Sequence, residues 1–144
     1  MTTEQLEQRV SDSEPVRQLE QRIRNDRTLR VKGMAGSLLS LAALTLARRI
    51  GGIHLLVAGD RDEASYLCND LTNLAGSGAA GTIFFYPTAY KRSVQTLRED
   101  PAGIVQRTAV LTALGNHSIP ERPLLICTWP VALAEKVADR QRLA

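Results

Sequence analysis

Residues 1–28 are polar, yet Leu6, Val10, Val16, Leu19 and Ile23 recur at the spacing of one helical stripe, interrupted near Ser13–Pro15. The spacing predicts one or two surface helices, the second laying a narrow apolar face on the body of the protein. From Leu29 the pattern changes. Leu29–Lys32 reads as a short strand, and Ser37 to about Ile50 as a helix with apolar residues on nearly every side, which predicts burial. Gly51-Gly52 ends that helix. Ile53–Ala58 (IHLLVA) is an unbroken apolar run of the kind that lies buried on both faces of a parallel sheet. Asp60 or Asp62 is placed to cap a helix over Asp62–Leu74, which carries Ala64, Leu67, Leu71 and Leu74 on one side. Ala75–Gly81 reads as a loop, Thr82–Tyr86 as a third strand and Pro87–Glu99 as a long polar connection. Asp100-Pro101 starts a helix running to about Leu114. Leu124–Cys127 is the last strand, and Pro130 opens a final helix, Val131–Asp139.

Strands separated by single helices imply right-handed crossovers. The predicted class is therefore α/β, a parallel sheet with helices on both faces. The organisation is an N-terminal helical segment, 1–28, followed by one α/β domain, 29–144. Leu41, Leu44, Leu55, Val57, Ile83, Phe85, Leu125 and Ile126 are the expected core.

Composition adds limits. The chain has 144 residues, 44% of them hydrophobic and 23% charged, which suits one soluble globular domain. The longest apolar run ends at Arg48-Arg49, about half the length needed to cross a bilayer. The first residues are too polar for a signal-peptide core, so the cytosol is the expected compartment and no membrane partner is expected. A net charge of +3 permits contact with nucleic acid without arguing for it, because acids and bases are interleaved. Cys68 and Cys127 lie far apart with no CxxC and no close histidine, so they read as buried free thiols and not as metal ligands.

The most pointed feature is KGMAGSLLS. A short predicted strand, Gly33, Gly36, Ser37 and Ser40 lead straight into a helix, which is how a phosphate-binding loop enters its helix. A working loop needs glycine and lysine where this chain has Leu38 and Leu39. The first change restricts close approach to a phosphate, and the second removes its counter-charge. The helix dipole that remains is a weak anion site. A tight strand-to-helix turn accounts for both glycines without any ligand. No apolar strand ends in the acidic pair that orders magnesium and water, so no catalytic residue, nucleotide cofactor or metal is expected.

With those residues in view, the chain resembles the N-terminal module of the bacterial transcription-repair coupling factor, itself similar to the helicase of nucleotide excision repair. The resemblance spans roughly residues 29–137. It rests on KGMAGSLLS, LLVAGDRDEASYLCNDL, FFYPTAYKRS, EDPAGIVQRTAVLTAL and LLICTWPVALAEKV, in that order and spacing. It implies a degenerate P-loop NTPase, RecA-like domain that is incomplete, a fragment of a larger protein. It implies that nucleotide binding has been lost here, and that ATP and Mg belong to motor domains elsewhere in the parent. The implied partners are the remaining domains of its own protein and, for the parent, DNA, RNA polymerase and the damage-recognition ATPase of excision repair. The long DNA-gripping hairpin of the repair helicase has no counterpart in the short Lys91–Glu99 stretch.

Tyr86, Tyr90, Lys91, Arg92 and Arg98 gather aromatics and cations in one connection. They are candidate nucleic-acid or interdomain contacts, against a solvated loop whose tyrosines pack back on the sheet. Trp129, just after a strand, is either a contact for a neighbouring domain or a buried anchor. His54 and His117 have no serine, acid or cysteine constellation to work with. A different class of function stands as the alternative, a small P-loop-like nucleotide-binding enzyme or regulator with an atypical loop.

Overall fold

Glycine, proline and aspartate set most of the element boundaries. The computed structural model describes residues 1–92 and 97–137. Helix α1 spans Thr3–Ser11, opened by a capping box in which Thr2 and Gln5 satisfy each other's backbone N–H groups. Helix α2 (Glu14–Asn25) has a proline in its first turn, which separates it from α1. Helix α3 (Ser37–Ile50) stops at Gly51, and β1 (Ile53–Val57) follows at once. Asp60 caps α4 (Arg61–Ala75) by accepting from the Glu63 N–H. A short 3-10 turn leads to β2 (Ile83–Phe85). Strands β3 (Tyr90–Arg92) and β4 (Leu97–Glu99) come next, then α5 (Pro101–Asn116), β5 (Leu124–Thr128) and α6 (Pro130–Ala134).

The main sheet has three parallel strands in the order β1-β5-β2, so the last strand in sequence sits in the middle. All five residues of β5 are buried. Its side chains alternate between two layers. Leu125 and Cys127 meet Leu44 and Ala47 of α3 and Leu71 of α4, while Leu124 and Ile126 meet Val110 of α5. Helices thus lie on both faces, and the mixed α/β class follows directly.

Several expectations change. Leu29–Lys32 is not a strand: it joins no ladder and makes no backbone hydrogen bond among the described residues, because it runs beside α2 and the start of α3 and not along the sheet. Leu41, Leu44, Leu125 and Ile126 are buried as expected, and Ile83 and Phe85 are half-buried. Leu55 and Val57 are not core. With Ile53 they stand 51% exposed, because β1 is an edge strand and α5 covers only β5 and β2 on that side. The Pro87–Glu99 connection is not simply a loop, since it contains the antiparallel β3-β4 pair. The final helix is shorter than predicted, ending at Ala134, with the backbone extended at Glu135; residues 138–139 of that prediction lie outside the described residues.

The N-terminal helices are held to the body by charge at the end of α3. Arg48 pairs with Glu7 of α1, and Arg49 pairs with Glu20 of α2 at 2.5 Å while also reaching the Ser11 hydroxyl at 3.1 Å. The two guanidinium groups sit where a helix C-terminus favours cations. Arg49 first, and Arg24 second, hold the Glu20 carboxyl below its usual range. Val16 supplies the buried apolar contact of α2. Among the described residues no helix is long and apolar enough to cross a membrane.

Candidate functional site: a phosphate-type loop closed by a carboxylate

Gly33 and Gly36 both have positive φ, +86° and +56°, which side-chain-bearing residues rarely adopt. The turn into α3 therefore needs glycine for its conformation. Gly36 is the N-cap of α3 and has no side chain to offer the first N–H groups. Ser37 starts the helix, and Leu38 and Leu39 stand about half-exposed on its first turn. Their isobutyl groups diverge: Leu38 lines the groove toward α2, whereas Leu39 lines a separate cavity of about 500 Å³ beside the end of β1.

That second cavity is where a phosphate would be held if the loop were of the working kind. Gly36, Leu39 and Ser40 form one wall, and Val57, Ala58 and Gly59 form another. The third wall is α4, which contributes Glu63, Tyr66 and Asp70. Asp70 is the decisive residue. Its Oδ2 accepts from the hydroxyls of both Ser37 and Ser40 at 3.3 Å. Glu63 is tied close by, accepting from the Gly59 N–H at 2.9 Å. The side chains that would meet a phosphate and its metal are thus already bonded to an anion of the protein itself. Two carboxylates and no cation line the cavity. A bare phosphate placed here meets like charge, and no lysine or arginine lines the cavity to offset it.

Glycine spacing in the sequence identifies the loop but gives no sign of Asp70. Its separation from the loop leaves no local signal, and only the packing of α4 on α3 brings it there.

The candidate contact residues divide. Tyr86 is buried beneath the Arg107 guanidinium, 4.2 Å from the ring centroid, and burial raises its hydroxyl pKa against the opposing effect of that cation. Trp129 is also buried and stacks on Phe85 at 5.7 Å. Neither ring is free to meet a base: of the alternatives open in the sequence, Trp129 is the buried anchor and Tyr86 packs inside the protein. Tyr90, Lys91 and Arg98 are exposed, with Lys91 directly opposite Arg98 across the β3-β4 pair; Arg92 is the last residue of β3. Lys91 also approaches Asp100 at 3.5 Å.

Arg107 does not stand out in the sequence, although it is the one charged residue within α5. It is 5% exposed. It donates to the carbonyls of Pro87 and Ala132 at 2.9 and 3.0 Å and lies 3.5 Å from Glu135, whose carboxylate accepts from the Ala89 N–H. This network ties α5, α6 and the base of the β3-β4 pair together.

The fold also joins the two cysteines. Cys127 is fully buried with Cys68 packed against it, both free. A hydrogen bond between the thiols lowers the Cys68 pKa, and the same bond together with burial pushes Cys127 up. His54 Nε2 lies 2.7 Å from the Gly51 carbonyl oxygen, a structural contact at the start of β1. No cluster of three or more His, Cys, Asp or Glu side chains suited to a metal is found among the described residues. Set against protein-family models, curated proteins and solved structures, the chain matches none.

Proposed function

We propose that this chain is a non-catalytic module, a degenerate P-loop, RecA-like domain of the kind found at the N-terminus of transcription-repair coupling factors. The observation that supports the loss of nucleotide binding is the cavity beside the loop, which no lysine or arginine lines. Leu38 and Leu39 in place of glycine and lysine point the same way. The assignment to a coupling factor rests on the sequence resemblance. In this reading the parent uses ATP in other domains to move on DNA, removes stalled RNA polymerase and recruits the damage-recognition ATPase of excision repair. The exposed Tyr90, Lys91 and Arg98 are its candidate contacts with nucleic acid or a neighbouring domain.

Calorimetry of the purified chain with magnesium-ATP tests the first half of the proposal. No saturable heat is expected, and a Kd tighter than roughly 100 μM, about −5.5 kcal/mol, would favour a nucleotide-binding enzyme or regulator instead. Capture of the damage-recognition ATPase tests the second half. The resemblance implies a small inserted domain after the LLICTWPVALAEKV region that binds this ATPase. A protein extended by about 80 residues, the allowance for such a domain, is therefore expected to retain the ATPase where residues 1–144 alone do not. Equal capture by both would move the binding surface into this chain. Capture by neither would remove the support for a coupling-factor role.

A further inference from the structure

A groove of about 620 Å³ separates α2 from the Leu29–Met34 segment and the start of α3. Its apolar surface includes Val16, Leu19, Leu38 and Ala42, with Leu29 and Val31 on the opposite wall. Arg9, Arg22, Arg30 and Lys32 also line it, and no carboxylate does. Arg22 is offset by Asp26 at 3.6 Å, an exposed pair that contributes little. Arg30 and Lys32 make no ion pair among the described residues. The groove is therefore apolar inside and positive at its edge.

One wall has a further property. Leu29-Arg30-Val31-Lys32 alternates apolar and cationic residues, the period of a strand, yet its backbone N–H and C=O groups have no partners among the described residues. An occupant that covers this wall must satisfy those groups, or desolvating them costs more than the apolar contact returns. A nucleic acid would meet the cations but not the apolar floor, and no aromatic side chain lines the groove for a base to stack on. A lipid would meet both yet provide no ladder. A second copy is a poor match, because β1, β2 and β5 contain no acidic residue and β4 has a single one, Glu99, beside Arg98.

We propose that this groove docks an extended segment of a partner protein in which apolar and acidic residues alternate. The segment adds as a strand beside Leu29–Lys32. Its apolar side chains enter the groove toward Val16 and Leu38, and its carboxylates face Arg30 and Lys32. Backbone hydrogen bonds hold it, and the alternating side chains select it.

The test is fluorescence anisotropy of the full chain with a labelled synthetic peptide of about eight residues, alternating valine and glutamate. A scrambled peptide of the same composition, a single-stranded oligonucleotide and phosphatidylserine vesicles run beside it. The alternating peptide is expected to bind at least about tenfold more tightly than the scrambled one, a difference of about 1.4 kcal/mol. Arg30→Glu combined with Lys32→Glu should abolish that preference. Neighbouring residues of a strand point their N–H groups to opposite sides. One of the two single variants Arg30→Pro and Val31→Pro should therefore lose binding while the other keeps it, and both should keep the parent's denaturation midpoint, since these positions are exposed. Equal binding of the scrambled peptide, indifference to both prolines, or a site for oligonucleotide, vesicle or a second copy that the same charge reversal removes would each overturn the proposal.

Discussion

On one face of the sheet α3 and α4 close over Leu56, Leu125, Cys127 and Phe85, and Leu71 at the centre is wholly buried. On the other face α5 alone covers β5 and β2, leaving Ile53, Leu55 and Val57 half in solvent. The two faces are made of the same kinds of residue. What differs is the number of helices available to each. Fully burying an aliphatic side chain is worth about 1.5–3 kcal/mol, so the open face forgoes on the order of 3 kcal/mol across its three residues.

The sharpest way to separate the faces is to cut into each. Leu71→Ala empties the sealed side and should destabilise the chain by about 2–5 kcal/mol in urea denaturation. A loss under about 1 kcal/mol would mean that α4 is not the lid described. Next comes the clamp at the far end of the open face. Arg107→Met keeps much of the side-chain volume but leaves the Pro87 and Ala132 carbonyls without their donor, at an expected loss of about 1–3 kcal/mol. Because the same network reaches Ala89, that variant should also broaden the amide signals of Tyr90 and Lys91 in an NMR spectrum.

A smaller effect concerns the N-terminal helices. Glu20 has its pKa depressed by Arg49 and Arg24, so the stability it contributes is present above the unfolded carboxylate pKa and is lost as pH falls through the lower folded value. The difference in denaturation midpoint between the parent and Glu20→Gln should be visible near about pH 6 and close toward about pH 3. A difference that persists in acid would show that the ion pair is not its source. Smallest of all, Leu55→Thr on the open face should change stability by no more than about 0.5 kcal/mol. A loss as large as that of Leu71→Ala would show that β1 is covered on both sides.

These contrasts also explain what is legible in the sequence. Caps and stops are, because Asp60 acts on the turn next to it and Gly51 and Pro101 through their own backbone. Leu44 and Leu125 are recognisable as core from apolar periodicity alone. The burial of β1 is not, since IHLLV is the same string whether or not a second helix lies over it. Leu29–Lys32 has the pattern of a strand and lacks the neighbour that would make it one. The turn at Gly33–Ser40 is recognisable from glycine spacing, and its lack of a lysine from Leu38 and Leu39. Asp70 and the joined cysteines depend on how α4 meets α3 and β5, which no window of sequence contains. Tyr86 and Trp129 stay undecided in the sequence because an aromatic after a strand looks the same whether or not Arg107 or Phe85 is waiting for it.

The α4 carboxylate beside the head of α3 also bears on what a lysine at position 39 would do. Exchanging Leu39 for lysine returns a cation to a cavity in which Asp70 and Glu63 are already lined up, and the new ammonium group has an intramolecular counter-ion before any phosphate arrives. The single step therefore ends in a quiet ion pair.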